Sequence, residues 1–424
     1  MDLIADLEAR GLIHDSTDRE FLRARVEAGD EQGPVGIYYG CDPTADSLHH
    51  GNLIGLVMLR RFQLAGHRAI ALAGGATGMI GDPGGRSEER NLLDDATLDH
   101  NVAAIKEQIS RIVDLDDPSR GVLVDNRDWT HPLTLLEFLR DVGKHVTVNQ
   151  MLARESVRQR IESEHGISFT EFTYMLLQAN DYLWLHDNLG CEIQIGGSDQ
   201  WGNIISGVDL IRRKRHTAVH AFAWPLLLAA DGSKLGKTTG ARTWLDPTKT
   251  SPYQFRQHWL QLGDDEIRAQ LLMFSLRPVG ELEELLEAHA AAPHERMAQR
   301  ALAREMTELV HGEAAAQTAD EAADVLFGGD PTTASEAALD AVAREVPSSR
   351  RPASELGDVV DLLVATELAS SKGDARRTLE GNGYRANGVP IDATDGLAAI
   401  ELLHGRYLLL RRGKKSHHLV DVFS

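Results

Sequence analysis

Two adjacent histidines stand where a predicted helix begins. Residues 35–66 form a β-prone run, a turn and then a stretch with apolar residues at helical spacing. His49 and His50 therefore lie at the helix start, where unpaired N–H groups and the positive end of the helix dipole favour a phosphate group. Two imidazoles can add hydrogen-bond donors for the same anion. For one such helix alone, the alternative is that Ser47 caps it and both histidines are surface residues.

Two lysines lie three residues apart on a glycine-bearing loop. Lys234 and Lys237 alternate with Gly232 and Gly236. These glycines enclose three residues where a P-loop needs four, and no helix clearly follows. We therefore interpret the lysines as cations for a polyphosphate and reject a P-loop.

Two glycine-rich loops directly follow predicted strands. Residues 74–87 contain six glycines and a proline, with Asp82, Arg86 and Arg90 in or just beyond the loop, and residues 194–203 repeat the pattern. Glycines allow the backbone to approach a ligand closely. Because ligands bind outside the carboxyl ends of parallel strands, we expect these loops and the histidines to converge on one cleft. For the first loop alone, a plain surface turn is the alternative.

Three polar residues share one face of a predicted helix at residues 169–188. Tyr174, Gln178 and Asp181 are spaced at i, i+4 and i+7, with apolar residues between them. Such a row faces either water or a pocket, and the sequence leaves both interpretations open.

The order of predicted elements indicates an α/β fold. Strands at residues 35–39, 68–75, 121–125, 191–195 and 221–228 alternate with helices, which predicts a Rossmann-like parallel sheet covered on both faces. A helical region follows, and a small α+β segment with two short helices and two strands ends the chain. The predicted parts are a Rossmann-like domain at 1–228, a mobile loop at 229–245, a helical domain at 246–330, a linker at 331–355 and a small α+β domain at 356–424.

Composition limits the class of protein. The net charge of −20 over 424 residues argues against a protein that coats nucleic acid indiscriminately, so an RNA partner must meet local basic patches at residues 211–216 and 406–415. Cys41 and Cys191 lie apart and give neither a disulfide framework nor a zinc pattern. The first residues lack a signal-peptide pattern and no apolar run is long enough for a membrane span, so we expect a cytoplasmic protein.

These motifs resemble the signatures of class I aminoacyl-tRNA synthetases. His49-His50-Gly51-Asn52 resembles the HIGH signature, with Asn52 in place of its final histidine, and Lys234 and Lys237 resemble the lysines of KMSKS. Residues 371–377 and 384–388 resemble the S4 RNA-binding domain. Over nearly the whole chain, the order of motifs is similar to that of bacterial tyrosyl-tRNA synthetases. The departure at Asn52 leads us to expect altered ATP affinity more than loss of activity.

The resemblance implies roles for matching positions. The implied tyrosine-binding residues are Tyr38, Asp82, Tyr174, Gln178, Asp181, Gln194 and Gln200. The implied ATP-binding residues are Gly40, Asp42, His49, Gly51, Asn52, Gly197, Asp199, Lys234 and Lys237. The implied catalytic residues are Thr44, His49, Arg86, Arg90, Lys234 and Lys237. The RNA-binding residues expected in the tail are Lys372, Arg376, Arg377, Arg385, Arg411, Arg412, Lys414 and Lys415.

The resemblance also implies the reaction and the partners. L-tyrosine would be activated by ATP, with Mg²⁺ and no tightly bound cofactor, and then transferred to tRNA(Tyr). A homodimer through residues 133–157 is expected, with no membrane or DNA partner. The alternatives are a tryptophanyl-type synthetase, a small-substrate nucleotidyltransferase, or a non-catalytic RNA-binding protein that kept the synthetase fold.

Overall fold

The structure is a computed structural model that describes residues 2–82, 93–162, 166–226, 242–392, 394 and 396–423. These residues form two compact units. One comprises Met1–Thr250 and His258–Val310, and the other comprises Ser251–Gln257 and His311–Ser424. None of the described helices is both long and apolar enough to cross a membrane.

A six-stranded sheet forms the centre of the first unit. Its strands are β1 (Asp15–Ser16), β2 (Gly36–Cys41), β3 (Arg68–Ala73), β4 (Gly121–Asp125), β5 (Cys191–Gly197) and β6 (His220–Trp224). The spatial order is β1-β6-β5-β2-β3-β4, with all neighbours parallel except the β1–β6 pair. Nearly every residue of β2, β3 and β6 is buried, because helices cover both faces of the sheet.

Helices connect the strands of this sheet and cover its faces. Those up to residue 250 are α1 (Leu3–Ala9), α2 (Arg19–Glu27), α3 (Gly29–Gln32), α4 (His50–Leu64), α5 (Asp95–Ile112), α6 (Arg127–Thr130), α7 (Leu135–Asp141), α8 (Val148–Leu152), α9 (Glu155–Ile161), α10 (Phe169–Leu189) and α11 (Trp201–Arg215). Helix α10 shows how local sequence sets such bounds. The Ser168 hydroxyl accepts the N–H of Glu171 at its start, and Gly190 ends it with a left-handed φ of 67°.

The rest of the chain is helical until its final sheet. The later helices are α12 (Pro252–Leu260), α13 (Ile267–Phe274), α14 (Val279–Ala291), α15 (Met297–His311), α16 (Glu313–Leu326), α17 (Glu336–Glu345), α18 (Val359–Ala365) and α19 (Lys372–Glu380). Short 3₁₀ helices lie at Thr77–Met79, Gly143–His145, Ser198–Gln200, Pro293–Glu295, Pro331–Thr333 and Ala353–Leu356.

The second unit contains a five-stranded sheet with helices on both faces. Its strands are β7 (Ser348–Pro352), β8 (Tyr384–Ala386), β9 (Val389–Pro390), β10 (Tyr407–Arg412) and β11 (Ser416–Phe423), in the order β7-β11-β10-β8-β9. Along β10, Leu408 and Leu410 pack with α18 and α19, while Tyr407 and Leu409 pack with α16 and α17. Successive side chains of β10 point to opposite faces of the sheet, and helices cover both faces. This explains why the run Tyr407–Leu410 is apolar throughout.

The predicted fold class is confirmed, with differences in detail. Strand β4 has the predicted bounds, and α10 ends one residue beyond the predicted helix at 169–188. Strands β1 and β11 were missed. Residues 331–355, predicted as a linker, contain helix α17 and strand β7. The division into catalytic, helical and RNA-binding domains remains a prediction.

Candidate active site

The candidate site lies between β2 and β5, where the order in which the chain adds strands to the sheet reverses. From β2 the chain continues to β3 and β4 on one side, and from β5 it continues to β6 on the other side, so the loops after β2 and β5 diverge. The crevice between such loops is the usual ligand site of an open α/β sheet. Gly40 lies near the carboxyl end of β2, and Gly197 ends β5, which brings two predicted ATP-binding positions to neighbouring strands.

His49 caps helix α4 and is held as a neutral imidazole. Its Nδ1 accepts the N–H of Gly51 at 3.0 Å, which leaves the other ring nitrogen, Nε2, as the proton-bearing donor. Burial, followed by the proximity of His50 and Arg242, lowers the pKa of His49 to about 4. At neutral pH the residue offers a hydrogen-bond donor and no positive charge.

Gly51 and Asn52 both serve the His49 cap. A Cβ at Gly51 would lie 2.9 Å from Cε1 of the His49 ring, so glycine leaves room for that ring. The Asn52 Oδ1 accepts the N–H of His49 at 3.1 Å, which completes a capping box. A side-chain hydrogen bond also links Asn52 to Tyr39. Asn52 therefore has a structural role at the helix start, besides the ATP contact that was predicted for it.

Asp181 is a buried carboxylate held by two donors. The Nε1–H of Trp129 donates to its Oδ1 at 2.8 Å, and the amide of Asn126 donates to its Oδ2 at 3.0 Å. Burial raises the pKa of Asp181 to about 7, and the two hydrogen bonds oppose that shift. Tyr38 is buried within range of this charge. Burial and then the charge of Asp181 raise the pKa of Tyr38 well above the ordinary value.

A second carboxylate, Asp42, extends this polar network. Tyr174 donates its hydroxyl proton to Oδ2 of Asp42 at 2.7 Å, and Thr77 donates to Oδ1 at 2.6 Å. The Asn126 amide also donates to the Thr77 hydroxyl at 2.9 Å. Asp42 and Asp181 are thus joined through Asn126 and Thr77, and the predicted helix face of Tyr174 and Asp181 points into the protein.

Four further polar side chains of the predicted pocket present amide or carboxylate groups. The Gln200 amide donates to Oδ2 of Asp82. The Oε1 atoms of Gln178 and Gln194 are buried and have no hydrogen-bond partner among the described residues. Unpaired buried acceptors are costly, so these two amides fit a ligand that donates hydrogen bonds, such as an ammonium group.

The structure thus brings together part of the predicted set. Tyr174 donates a hydrogen bond to Asp42, and the charges of Asp181 and Asp42 contribute, after burial, to the raised pKa of Tyr38. By contrast, Thr44 and Asp199 are exposed. The predicted residues outside the described residues are Arg86, Arg90, Lys234 and Lys237.

Sequence reasoning missed three residues that hold the network together. Asn126, Trp129 and Thr77 supply the bonds between the two carboxylates. Asn126 directly follows β4, so its position after a predicted strand was the available signal.

Two family patterns match the chain. The pattern for tRNA synthetases class I (W and Y) matches residues 30–328, and that for the tyrosine–tRNA ligase SYY-like C-terminal domain matches residues 338–420. The chain belongs to the class I tRNA synthetases of the W and Y group.

Relatives and solved structures of this synthetase family align over most of the chain. The tyrosine–tRNA ligase of Opitutus terrae is 47% identical over 430 residues, covering 100% of both chains. That of Mycobacterium tuberculosis is 48% identical, covering 98% of this chain and 97% of its own. A C-terminally truncated mitochondrial tyrosyl-tRNA synthetase of Aspergillus nidulans superposes with a TM-score of 0.67 at 34% identity, covering 77% of this chain and 94% of that one.

The basic side chains in the tail of this synthetase differ in their partners. Arg412 pairs with Asp374, and Lys372 pairs with Asp361, so these two charges are already partly neutralised. Arg385 donates to the carbonyl of Gly388. Six of the predicted RNA-binding residues form no ion pair with any described residue: Arg376, Arg377, Arg385, Arg411, Lys414 and Lys415.

Proposed function

We propose that this chain is a tyrosine–tRNA ligase. It activates L-tyrosine with ATP to give tyrosyl-adenylate and pyrophosphate, and then transfers tyrosine to the 3′-terminal ribose of tRNA(Tyr). The observation that carries the proposal is the end-to-end similarity to tyrosine–tRNA ligases, at 47% identity over 100% of both chains. The site geometry supports tyrosine as the amino acid.

The phenol end of the substrate is assigned to Tyr38 and Asp181. An ionised Asp181, oriented by Trp129 and Asn126, is an acceptor for a phenolic O–H in a dry pocket. Phenylalanine would leave this acceptor unpaired. Tyrosyl-tRNA synthetases are themselves the standard example of such rejection, and the factor on the order of 10⁵ is the one known for that family.

The ammonium group of the substrate tyrosine is assigned to a second set of polar side chains, formed by Asp82, Gln178 and Gln194. The Asp82 carboxylate supplies negative charge, and the unpaired buried Oε1 atoms of Gln178 and Gln194 supply acceptors. Tyr174 and Gln200 orient Asp42 and Asp82 through their hydrogen bonds and complete this end of the pocket.

Activation needs positioning and charge stabilisation more than proton transfer. The tyrosine carboxylate is already ionised when it attacks the α-phosphate, so no general base is required. The start of α4, with the Nε2–H of His49 and the exposed Thr44, supplies donors for the phosphates. Lys234, Lys237, Arg86 and Arg90 are proposed to add positive charge there. Gly40, Gly51, Asn52, Gly197 and Asp199 are proposed to line the nucleoside.

Mg²⁺ is proposed to enter with ATP. It would neutralise part of the phosphate charge during attack. The described residues contain no group of three or more His, Cys, Asp or Glu arranged to hold a metal ion. The carboxylates nearest the site, Asp42 and Asp82, are engaged by side-chain hydrogen bonds and can at most assist the ATP-bound ion.

A homodimer and a cytoplasmic location complete the proposal. Large apolar side chains are exposed within residues 133–157, which supports a self-association surface there. These side chains are Leu135, Leu136, Leu139, Val148 and Leu152. In the tail, the six basic residues without ion-pair partners among the described residues are proposed to contact the tRNA.

The direct test is aminoacylation of bacterial tRNA by the purified full chain. Labelled tyrosine should become attached to tRNA(Tyr) in the presence of ATP, and labelled tryptophan should not be attached. Attachment of tryptophan would contradict the amino-acid assignment. Binding of tRNA without attachment of either amino acid would favour an RNA-binding protein without catalytic activity.

A further inference from the structure

Residues 243–246 pair with the residues that begin helix α4. The N–H of His50 donates to the carbonyl of Thr243 at 3.0 Å, and the N–H of Leu245 donates to the carbonyl of Leu48 at 2.9 Å. His49 and Trp244 form an antiparallel bridge between these two hydrogen bonds. The backbone pairing therefore places Trp244 beside the proposed phosphate site, and the guanidinium of Arg242 lies over the Trp244 ring.

Two cations share the indole ring of Trp244, and they differ in their partners. The guanidinium of Arg242 lies 5.7 Å from the ring centroid, and the ammonium of Lys249 lies 5.4 Å from it. Lys249 also forms an ion pair with Asp46. Arg242 is exposed and forms no ion pair or hydrogen bond with any described residue. Of these two positive charges, only that of Lys249 is balanced by a carboxylate of the described chain.

The charge of Arg242 acts at His49. The Trp244 ring lies 6.2 Å from the His49 ring, and the guanidinium contributes, after burial and His50, to the lowered pKa of His49. His49 is neutral mainly because it is buried. Asn52 brings no charge to the position where the HIGH signature has its last histidine. The start of α4 thus supplies hydrogen-bond donors without charge, while Arg242 supplies a positive charge beside it.

We propose that Arg242 is an additional ATP-binding residue, whose guanidinium contacts the phosphates beside His49. This inference rests on the proposed function and adds a residue that no motif of the sequence indicated. An arginine stacked on an aromatic ring keeps its planar donors oriented, so it loses less freedom on binding phosphate than an unsupported side chain. Its planar fork suits phosphate oxygens better than the point charge of a lysine.

The test compares Arg242→Met with Arg242→Lys in tyrosine-dependent ATP–pyrophosphate exchange by the full chain. Methionine keeps an apolar stem over Trp244 and removes the charge, whereas lysine keeps the charge and loses the fork. We expect Arg242→Met to raise the KM for ATP about tenfold, as for loss of one charged hydrogen bond. Arg242→Lys should recover part of that loss. The KM for tyrosine should stay within about twofold in both variants.

Arg350→Met is the matched control, because Arg350 is also exposed and stacks 5.1 Å from an aromatic ring, that of Phe423 in the second unit. This variant removes the same charge and should leave both KM values unchanged. An unchanged KM for ATP in Arg242→Met would overturn the inference. So would a parallel rise in the KM for tyrosine, since that would indicate a purely structural role for Arg242.

A calorimetric titration with ATP separates this inference from the proposed function. If the unaltered chain shows no exchange with any amino acid, the proposed function is contradicted, and the ATP affinities of the same variants still decide the role of Arg242. ATP affinity weakened about tenfold in Arg242→Met and unchanged in Arg350→Met supports the inference. Equal ATP affinities of the unaltered chain and Arg242→Met overturn it.

Discussion

Burial disfavours the charged form of Asp181, and two hydrogen bonds partly offset this effect. The side chain is almost fully buried, which raises its pKa to about 7, while the hydrogen bonds from Trp129 and Asn126 favour the ionised form. An ionised carboxylate at this place is the acceptor that the proposed recognition of tyrosine requires. The raised pKa also makes the stability of the fold depend on pH. The contribution of Asp181 to the free energy of unfolding is complete below the ordinary carboxyl pKa and is lost as pH rises through about 7.

Tyrosine binding should strengthen as pH rises through the pKa of Asp181. Protonation removes the charged acceptor, so with a pKa of about 7 we expect the Kd for tyrosine to be about tenfold higher at pH 6 than at pH 8. Equilibrium dialysis with labelled tyrosine measures this directly. Asp181→Asn should bind weakly with a flat profile, and a flat profile in the unaltered chain would contradict the assignment.

A motif or a helix face marked some residues of the candidate site. Spacing and resemblance singled out Tyr38, Tyr174 and Asp181, and the structure buries all three, while their roles remain predictions. Asn126 was marked only by its position directly after strand β4, and no motif pointed to Trp129. The role of Trp129 depends on a tertiary contact of α6 with Asp181 on α10, which no local pattern reveals.

At the scale of elements, helix α4 is the one that links the site to the helical region. Near its end, Arg61 is buried, and its Nη2 donates to the carbonyls of Met273 and Ser275 at 2.8 and 2.7 Å. Arg10 donates to the same end of α13 and also pairs with Asp6. Burial, with the nearby charge of Arg10, lowers the pKa of Arg61 to about 9. Two cations thus satisfy the last carbonyls of α13.

Removing these two arginines should destabilise the fold to different extents. Arg61→Met leaves helix-end carbonyls without one donor and should lower the free energy of unfolding by roughly 1–3 kcal/mol. Arg10→Met also leaves the buried Asp6 carboxylate unpaired, so a loss of about 3–5 kcal/mol is expected. Urea denaturation followed by circular dichroism measures both losses. A larger loss in Arg61→Met than in Arg10→Met would contradict the roles assigned to these arginines.

Elements were predictable where their local pattern was strong. Strand β4 and helix α10 carry a β-prone run and a capped, periodic helix, and both were found from sequence. Strand β1 has only two residues and exists through its pairing with β6, which a local pattern cannot reveal. Strand β7 contains Ser, Arg and Pro and lies within the predicted linker at 331–355. It is an edge strand that pairs only with β11 among the described strands.

At the scale of the whole molecule, the proposed dimer surface makes its own prediction. Leu136 is 77% exposed on α7, within the range expected to form the interface. A charge placed there would be desolvated on association, so Leu136→Glu should shift the protein toward monomer. Sedimentation velocity at micromolar concentration gives the oligomeric state.

Leu64→Glu is the matched control for this change, since Leu64 is 58% exposed at the end of α4 and lies outside the expected interface. It should leave the sedimentation coefficient unchanged. A monomeric unaltered chain, or equal dissociation in both variants, would contradict the proposed dimer surface.

The measurement that tests the central claim most directly is ATP–pyrophosphate exchange by the full chain with tyrosine, phenylalanine and tryptophan in parallel. We predict exchange with tyrosine alone, because only its phenol pairs with Asp181. Exchange with tryptophan or phenylalanine at a comparable rate would contradict the proposed pocket. No exchange with any of the three, from folded protein, would contradict the proposed catalytic function.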